Sequence, residues 1–359
     1  MSGCFGTPYI ERPQSAIIFP APTFTPKLTM TPTAIDQLTS RVLSGGHISL
    51  EEAHALSCTP DKEALYAAAD RIRKHFMGDS VDMCSIMNAQ SGRCSEDCKW
   101  CSQSRYFKTG VEEYPLVSEE KGVEQALANS RQGVGRFSLV TSGRLLKPKQ
   151  VQKACAIYRA IRTQSPIRLC ASMGLLRTPE LSKLKEAGVE RYHCNIETSP
   201  SFFPTLCTTH TFADKQRTIR EAQAIGMKIC SGGIFGMGES MADRIEMAFA
   251  LREMNIDSIP INTLNPIEGT PLQGSKPLSD EEILTSIALF RFINPTAHLR
   301  FAGGRDLIAH IQEKALAAGM SAALVGDYLT TLGASIEQDK TMFRRLGRSA
   351  DNQDTSQTS

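Results

Sequence analysis

Three cysteines crowd one short stretch, GRCSEDCKWCSQS (residues 91–103): Cys94, Cys98 and Cys101. This C-x3-C-x2-C spacing gathers three soft sulfur donors in one loop, and thiolates serve either as metal ligands or in redox chemistry. A disulfide framework leaves one of the three unpaired. Structural zinc wants a fourth ligand, usually from a second paired motif, and neither another CxxC nor an HxxxH follows. An iron–sulfur cluster of the 4Fe–4S type, held by three thiolates, keeps one iron open for a substrate. A chance grouping of small apolar thiols is the bland alternative.

The rest of the chain narrows these options. Eleven cysteines scattered over 359 residues are too sparse for a disulfide scaffold. The apolar run AIIFPAP is cut by Pro20 and Pro22 and has no cleavage-site pattern, so no secretory leader is expected. No run approaches the ~18 apolar residues of a membrane span. Forty basic against 38 acidic residues give a net charge of +2, which argues against a nucleic-acid tract or an anionic membrane patch. A soluble protein of a reducing, cytoplasmic compartment is expected, where clustered cysteines more often mean metal or catalysis.

The elements that must position the cysteines can be read from apolar periodicity. Residues 1–32 hold six prolines and no period, an irregular arm, and the polar 348–359 reads as a disordered tail. Between them, 33–347 alternates strand-like and helix-like pieces. The strand-like runs are VDMCSIMN (81–88), GRFSLVTSG (135–143), IRLCASMG (167–174), RYHCNIET (191–198), MKICSGGIFG (227–236), SIPINTL (258–264), AHLRFAGG (297–304) and AALVGDYL (322–329). Helical pieces separate them: TPELSKLKEAG, with Thr178 as N-cap and Gly188 as stop; ADRIEMAFALREMN; and SDEEILTSIALF, opened by a capping box of Ser279 and Glu282. SLEEAHAL and DKEALYAAADRIRKHF add two helices in front. Eight strands with helices between them predict an α/β fold, a (βα)8 TIM-type barrel with extra N-terminal helices. Such barrels carry their chemistry at the C-terminal strand ends, and the cysteine loop follows the first strand.

The CxxxCxxC motif with Trp100 before its last cysteine resembles the radical S-adenosylmethionine (SAM) enzymes. EDCKWCSQSRY, YHCNIETSP (192–200), KICSGGIFGMGE (228–239), INTLNPIEGTPL (261–272), LRFAGGR (299–305) and GDYLTTLG (326–333) narrow the resemblance to the biotin synthase family. These motifs span residues 81 to about 347 in order; the N-terminal arm lies outside them. The resemblance implies a 4Fe–4S cluster on Cys94, Cys98 and Cys101 that binds SAM and splits it to a 5′-deoxyadenosyl radical. It implies dethiobiotin as substrate, sulfur from an auxiliary iron–sulfur cluster (2Fe–2S or a variant), a flavodoxin or ferredoxin as electron donor, and a homodimer.

Residue roles follow from the same resemblance. Cys170, Cys230 and Arg300 match auxiliary-cluster ligands, although a lone strand cysteine is usually a buried filler and a lone arginine a salt-bridge partner. Asn195 and Asn262 resemble the asparagines that bond the ureido ring, which an amide can both donate to and accept from. Glu197 alternates with Asn195 and resembles the acid that takes the SAM ribose hydroxyls. The run beginning Gly232, Gly233, Ile234 would let backbone approach adenine closely. His193 reads equally as pocket wall or core histidine, and Cys4, Cys58, Cys155 and Cys207 read as inert thiols. The chain departs from the family at Ser138, where the pattern has a cysteine. An alkoxide is a poor substitute for a thiolate. Cys84, on the neighbouring strand, is the expected replacement; Cys194 is the second choice, expected to face away. Relatives that mature a hydrogenase cofactor or make methylornithine are the competing radical readings, and they need no sulfur-donating cluster. A non-catalytic zinc protein is the reading from another class.

Overall fold

In β1 (Asp82–Gln90) the side chains alternate as a pleated strand requires. Met83, Met87 and Ala89 are buried in the apolar core, while Cys84 and Ile86 on the opposite face line a central cavity. The computed structural model describes residues 30–326 and 335–350. The N-terminal arm expected over 1–32 lies almost wholly outside them, as does most of the expected tail.

Three helices precede β1: α1 (Pro32–Leu43), α2 (Leu50–Ser57) and α3 (Lys62–Met77). Then α4 (Glu119–Arg131) leads to β2 (Arg136–Thr141), α5 (Pro148–Gln164) to β3 (Arg168–Ser172), and α6 (Thr178–Glu186) to β4 (Val189–His193). Helix α7 (Phe212–Ala224) leads to β5 (Lys228–Cys230) and β6 (Gly233–Phe235). Helix α8 (Met241–Glu253) leads to β7 (Ser258–Thr263), α9 (Asp280–Ile293) to β8 (His298–Phe301), and α10 (Gln312–Ala317) to β9 (Ala322–Leu324). Helix α11 (Ile336–Arg345) closes the described chain.

All strand pairings are parallel, in the order β5-β4-β3-β2-β1-β9-β8-β7-β6, with β5 also paired to β7. β5 and β6 are one stave interrupted at Ser231–Gly232, and both halves bond β7, so eight staves close the barrel. The interruption has a steric cause. A Cβ on Gly232 would stand 2.0 Å from the Pro260 carbonyl oxygen, and one on Gly233 2.3 Å from that of Glu197. Only glycine permits these approaches.

The capping box expected at Ser279 and Glu282 is present. Thr178 is not an N-cap: Arg177 holds that position, and the Thr178 N–H and hydroxyl both donate to Glu221 on α7. The strand expected over 191–198 ends at His193. Glu197 has φ of 73° and meets Gly233 in an isolated bridge, so the chain leaves the sheet while still climbing the wall. Residues 327–334, which hold the end of the last expected strand, lie outside the described residues.

Candidate active site

A cavity of about 450 Å³ opens at the C-terminal end of the barrel. Cys94, Cys98 and Cys101 line it from the loop after β1. That loop is pinned at both ends. The Cys94 N–H donates to the Gln103 carbonyl (2.9 Å), the Arg105 N–H to the Cys94 carbonyl (2.9 Å), and the Cys101 N–H to the Cys98 carbonyl (3.0 Å). None of the three thiols is in a disulfide. Burial pushes the Cys94 thiol up, and the Cys101 thiol up to about 11. Cys98 is raised chiefly because its thiol donates to Cys207. Trp100 lines the same cavity and packs on Leu206, Met237 and Leu264.

Asn195, Glu197 and Ile234 also line the cavity; Gly232 and Gly233 stand behind it in the wall. The Asn195 side-chain oxygen accepts the Gly232 N–H at 3.0 Å. Asn262, on β7, donates to the Gly233 carbonyl at 2.9 Å and accepts the Gly303 N–H at 2.8 Å, so its amide clamps two segments of wall. Glu197 lies 3.8 Å from the buried Lys215 ammonium. Sequence reasoning missed Lys215, which sits on α7 among ordinary surface residues.

Lower in the barrel, Cys84, Ser138, Cys170, Cys230 and Arg300 all line the cavity. In the ladders Cys84 pairs with Arg136, Ser138 with Cys170, Cys170 with Arg191, and His193 with Cys230. The Cys84, Cys170 and Cys230 thiols lie within electrostatic reach of one another. Burial raises Cys84 to about 12. Burial raises Cys230 too, but His193, Arg300 and Arg191 outweigh it and bring the thiol to about 7. Cys194 lies past β4, packed in the core and touching the cavity edge. Burial holds its thiol up at about 11.

Arg300 is engaged on every side. Its guanidinium donates to the Asp82 carboxylate (2.7 Å), the Asp82 carbonyl (2.8 Å), the Ala323 carbonyl (3.1 Å) and the Ser258 hydroxyl (3.3 Å). Arg136 and Arg191 approach the same carboxylate at 3.8 and 3.6 Å. Burial alone would raise the Asp82 carboxyl, but these cations and His298 hold it well below the usual carboxylate range. The floor of the cavity is therefore three guanidiniums around one carboxylate. The Nε atoms of Arg136 and Arg191 are buried and have no hydrogen-bond partner among the described residues. Spare donors below free thiols suit a thiolate-bound, anionic group. The donor set at the mouth, three free thiols on one loop, suits an iron–sulfur cluster in the same way.

Of the thiols expected to be inert, Cys58 is exposed and Cys155 is buried in the core. Cys4 lies outside the described residues. Cys207 differs: its sulfur is 3.7 Å from that of Cys98, and hydrogen bonds from Cys98 and His210 hold it down to about 4. The signal available in the sequence was the short CTTH spacing, which places Cys207 and His210 three residues apart.

The Radical SAM superfamily model matches residues 90–251, and the Biotin and Thiamin Synthesis associated domain matches residues 260–349. The chain is similar to biotin synthase of Porphyromonas gingivalis, 52% identical over 87% of this chain and 95% of the relative. It is similar to that of Parabacteroides distasonis, at 51% over 88% and 97%, and of Clostridium botulinum, at 47% over 86% and 96%. Among solved structures, methylornithine synthase superposes with a TM-score of 0.74 at 19% identity, covering 87% of this chain and 96% of the other. The FeFe-hydrogenase maturase HydG from Carboxydothermus hydrogenoformans gives 0.74 at 18%, covering 88% and 79%. These two share the fold, whereas half of all residues are shared with the biotin synthases over nearly their full length. A barrel bearing this cysteine loop at its mouth, with that degree of identity, belongs to the biotin synthase family of radical SAM enzymes.

Proposed function

We propose that this protein converts dethiobiotin to biotin by radical insertion of sulfur. The observation that carries the reading is the vertical order of side chains in one cavity. Arg191, His193, Asn195 and Glu197, at alternate positions along β4 and its extension, all line it. Register pairs Cys170 and Cys230 with the first two, and Cys84 with Arg136 beside them, while Asn195 and Asn262 line the cavity further along their strands and the cysteine loop caps the mouth. A ureido ring bonded by Asn195 and resting on the wall that Asn262 holds lies between two sets of thiols. That is what a reaction needs when its radical comes from one side and its sulfur from the other.

Membership of the family implies a 4Fe–4S cluster and SAM. In our reading Cys94, Cys98 and Cys101 hold the cluster, which when bound supplies the electron that splits SAM. Glu197 takes the ribose hydroxyls, and Trp100 and Ile234 flank the cofactor from the apolar wall. Gly232 and Gly233 keep that wall thin by letting strands meet backbone to backbone. Asn195 offers its amide nitrogen, which has no partner among the described residues, to the substrate; Asn262 holds the wall the ring rests on. We assign the auxiliary cluster, the sulfur source, to Cys84, Cys170 and Cys230, with Cys84 replacing the thiol absent at Ser138. Arg300 serves there as a charge partner: its donors are taken by Asp82 and two carbonyls, and a protonated guanidinium is a poor ligand.

A flavodoxin or ferredoxin as reductant, a homodimer and a reducing cytoplasmic setting complete the reading, supported by family membership and by the free thiols. Among the described residues no helix is long and apolar enough to cross a membrane. Anaerobic incubation of the reconstituted protein with dethiobiotin, SAM and a reductant is expected to form biotin. Protein that carries both clusters and splits SAM, yet returns dethiobiotin unchanged, refutes the proposal.

A further inference from the structure

The loop bearing Cys98 packs on residues 206–211, and this contact brings together three donor atoms that the reading above does not use as a set. The Cys98 and Cys207 sulfurs are 3.7 Å apart. The Cys207 sulfur is 3.3 Å from His210 Nδ1 and 3.9 Å from Nε2. One donor atom from each of the three residues lies within 4.8 Å of the other two. In a tetrahedral zinc site, bonds of ~2.3 Å to sulfur and ~2.0 Å to nitrogen put two thiolates ~3.8 Å apart and a thiolate and an imidazole ~3.5 Å apart. The sulfur–sulfur separation matches an edge of such a tetrahedron, and Nε2, the ring nitrogen that does not meet Glu96, stands 3.9 Å from the Cys207 sulfur and closes in by a few tenths of an ångström on binding.

The surroundings support the same site. Glu96, itself buried, meets His210 Nδ1 at 2.7 Å. A carboxylate on one ring nitrogen fixes the tautomer and leaves the other nitrogen free for an ion. The Asp97 carboxylate accepts the backbone N–H groups of Thr208 (2.9 Å) and Thr209 (3.2 Å), which fixes the turn that presents Cys207 and His210. The ring of Phe203 packs edge-on to His210 at 5.5 Å and shields it from water.

We propose that Cys98, Cys207 and His210 bind a single divalent transition-metal ion in the protein before its SAM cluster is built. Two thiolates and one imidazole select a borderline ion such as zinc, cobalt or ferrous iron over magnesium or calcium. Both sulfurs bind as thiolates, any thiol proton still held passes to solvent, and no oxidation state changes. Because Cys98 serves both sites, the single ion and the cluster exclude each other. The exclusion rests on the proposed cluster assignment of Cys94, Cys98 and Cys101; the binding of the ion does not.

The test uses the full chain stripped of iron and sulfide and titrated anaerobically with cobalt(II). Wild type is expected to show tetrahedral cobalt bands and thiolate-to-cobalt charge transfer. The Cys94→Ala/Cys101→Ala variant keeps them. Glu96→Gln weakens binding by the ~10–100-fold typical of a lost outer partner, and Cys207→Ser and His210→Ala weaken it further. His210→Cys, which replaces one ligand by another, retains binding with added charge transfer and shows that the turn still folds. Cobalt binding unchanged in Cys207→Ser, or lost in Cys94→Ala/Cys101→Ala, overturns the site. In a second arm, zinc-loaded protein is reconstituted with iron and sulfide. Zinc slows cluster formation in wild type and not in Cys207→Ser if the sites exclude each other; equal rates with and without zinc in wild type overturn the exclusion. A failure of the cluster assignment appears instead as SAM cleavage that persists in reconstituted Cys94→Ala/Cys101→Ala, with the cobalt results intact.

Discussion

Replacing Asp82 by Asn removes the carboxylate shared by three buried guanidiniums while keeping its size; Arg136 keeps a second carboxylate partner, Glu190 at 3.4 Å. Arg300 loses a 2.7 Å ion pair in a site where both side chains are under a tenth exposed, and Arg136 and Arg191 lose a counter-charge at 3.8 and 3.6 Å. Breaking a buried pair by removing one partner costs about 3–5 kcal/mol, because the other charge stays buried. Unfolding entropy of ~2.1 cal/mol/K per residue gives ~0.75 kcal/mol/K for this chain, so the melting temperature should fall by about 4–7 °C. The assay is thermal and urea unfolding of the iron-free protein at neutral pH. Arg300→Met and the double variant complete the cycle. The double variant should cost less than the sum of the singles, since it removes the orphaned charge along with its partner. A loss below about 1 kcal/mol in Asp82→Asn, or strict additivity, refutes the argument. It would mean that the carbonyls of Asp82 and Ala323 satisfy Arg300 by themselves.

Replacing any one of Cys94, Cys98 and Cys101 by Ala should abolish SAM cleavage together with biotin formation; cleavage at the normal rate in one variant rules out the cluster assignment. Reconstituted anaerobically, Cys84→Ala should lose the auxiliary cluster and Ser138→Ala keep it, read by iron and sulfide counts and Mössbauer spectra, and the reverse outcome makes Ser138 the ligand. Asn262→Ala should lower stability by about 1–3 kcal/mol, since it orphans the Gly233 carbonyl and the Gly303 N–H, whereas Asn195→Ala should weaken dethiobiotin binding more than SAM binding. Calorimetric titration with both ligands separates those two roles. Burial would raise the Glu221 carboxyl, but bonds from Thr178 and Arg177 outweigh it and hold it below its usual value, so its contribution is present above the ordinary carboxylate range and lost as pH falls through the folded value. Glu221→Gln should therefore cost about 1 kcal/mol at neutral pH and almost nothing near pH 3; an equal cost at both pH values shows that the charge is not what matters.

The barrel was legible because its signals are local. Strand runs such as VDMCSIMN and capping boxes such as Ser279–Glu282 state their structure within a few residues. The errors fell where a distant partner decides. Thr178 has the chemistry of a cap, yet Glu221, 43 residues on, takes its hydroxyl and N–H. The strand read through Glu197 stops at His193, because Gly232 and Gly233 bring another backbone so close that the chain must turn out of the sheet. Gly232 and Gly233 were singled out for close backbone approach, and the approaches they make within the wall are to the carbonyl oxygens of Pro260 and Glu197.

The site divides along the same line. A dense motif announces itself, so Cys94, Cys98 and Cys101 could be found by spacing alone. The floor could not, because Asp82, Arg136, Arg191 and Arg300 come from four strands that only closure of the barrel brings to one level. The register does explain why Cys84 could be singled out. It sits two residues beyond Asp82 on the same face of β1, directly above the carboxylate that holds the arginines. Burial, with the Asp82 charge, holds the Cys84 thiol up at about 12 against the pull of Arg300, while Ser138 donates to the Leu139 carbonyl at 3.5 Å. In the proposed assignment Cys84 therefore becomes a thiolate only as it binds iron, with Arg300 as a counter-charge. A thiol gives up its proton to a metal far more readily than a serine hydroxyl does, which is why Cys84 rather than Ser138 is the proposed ligand.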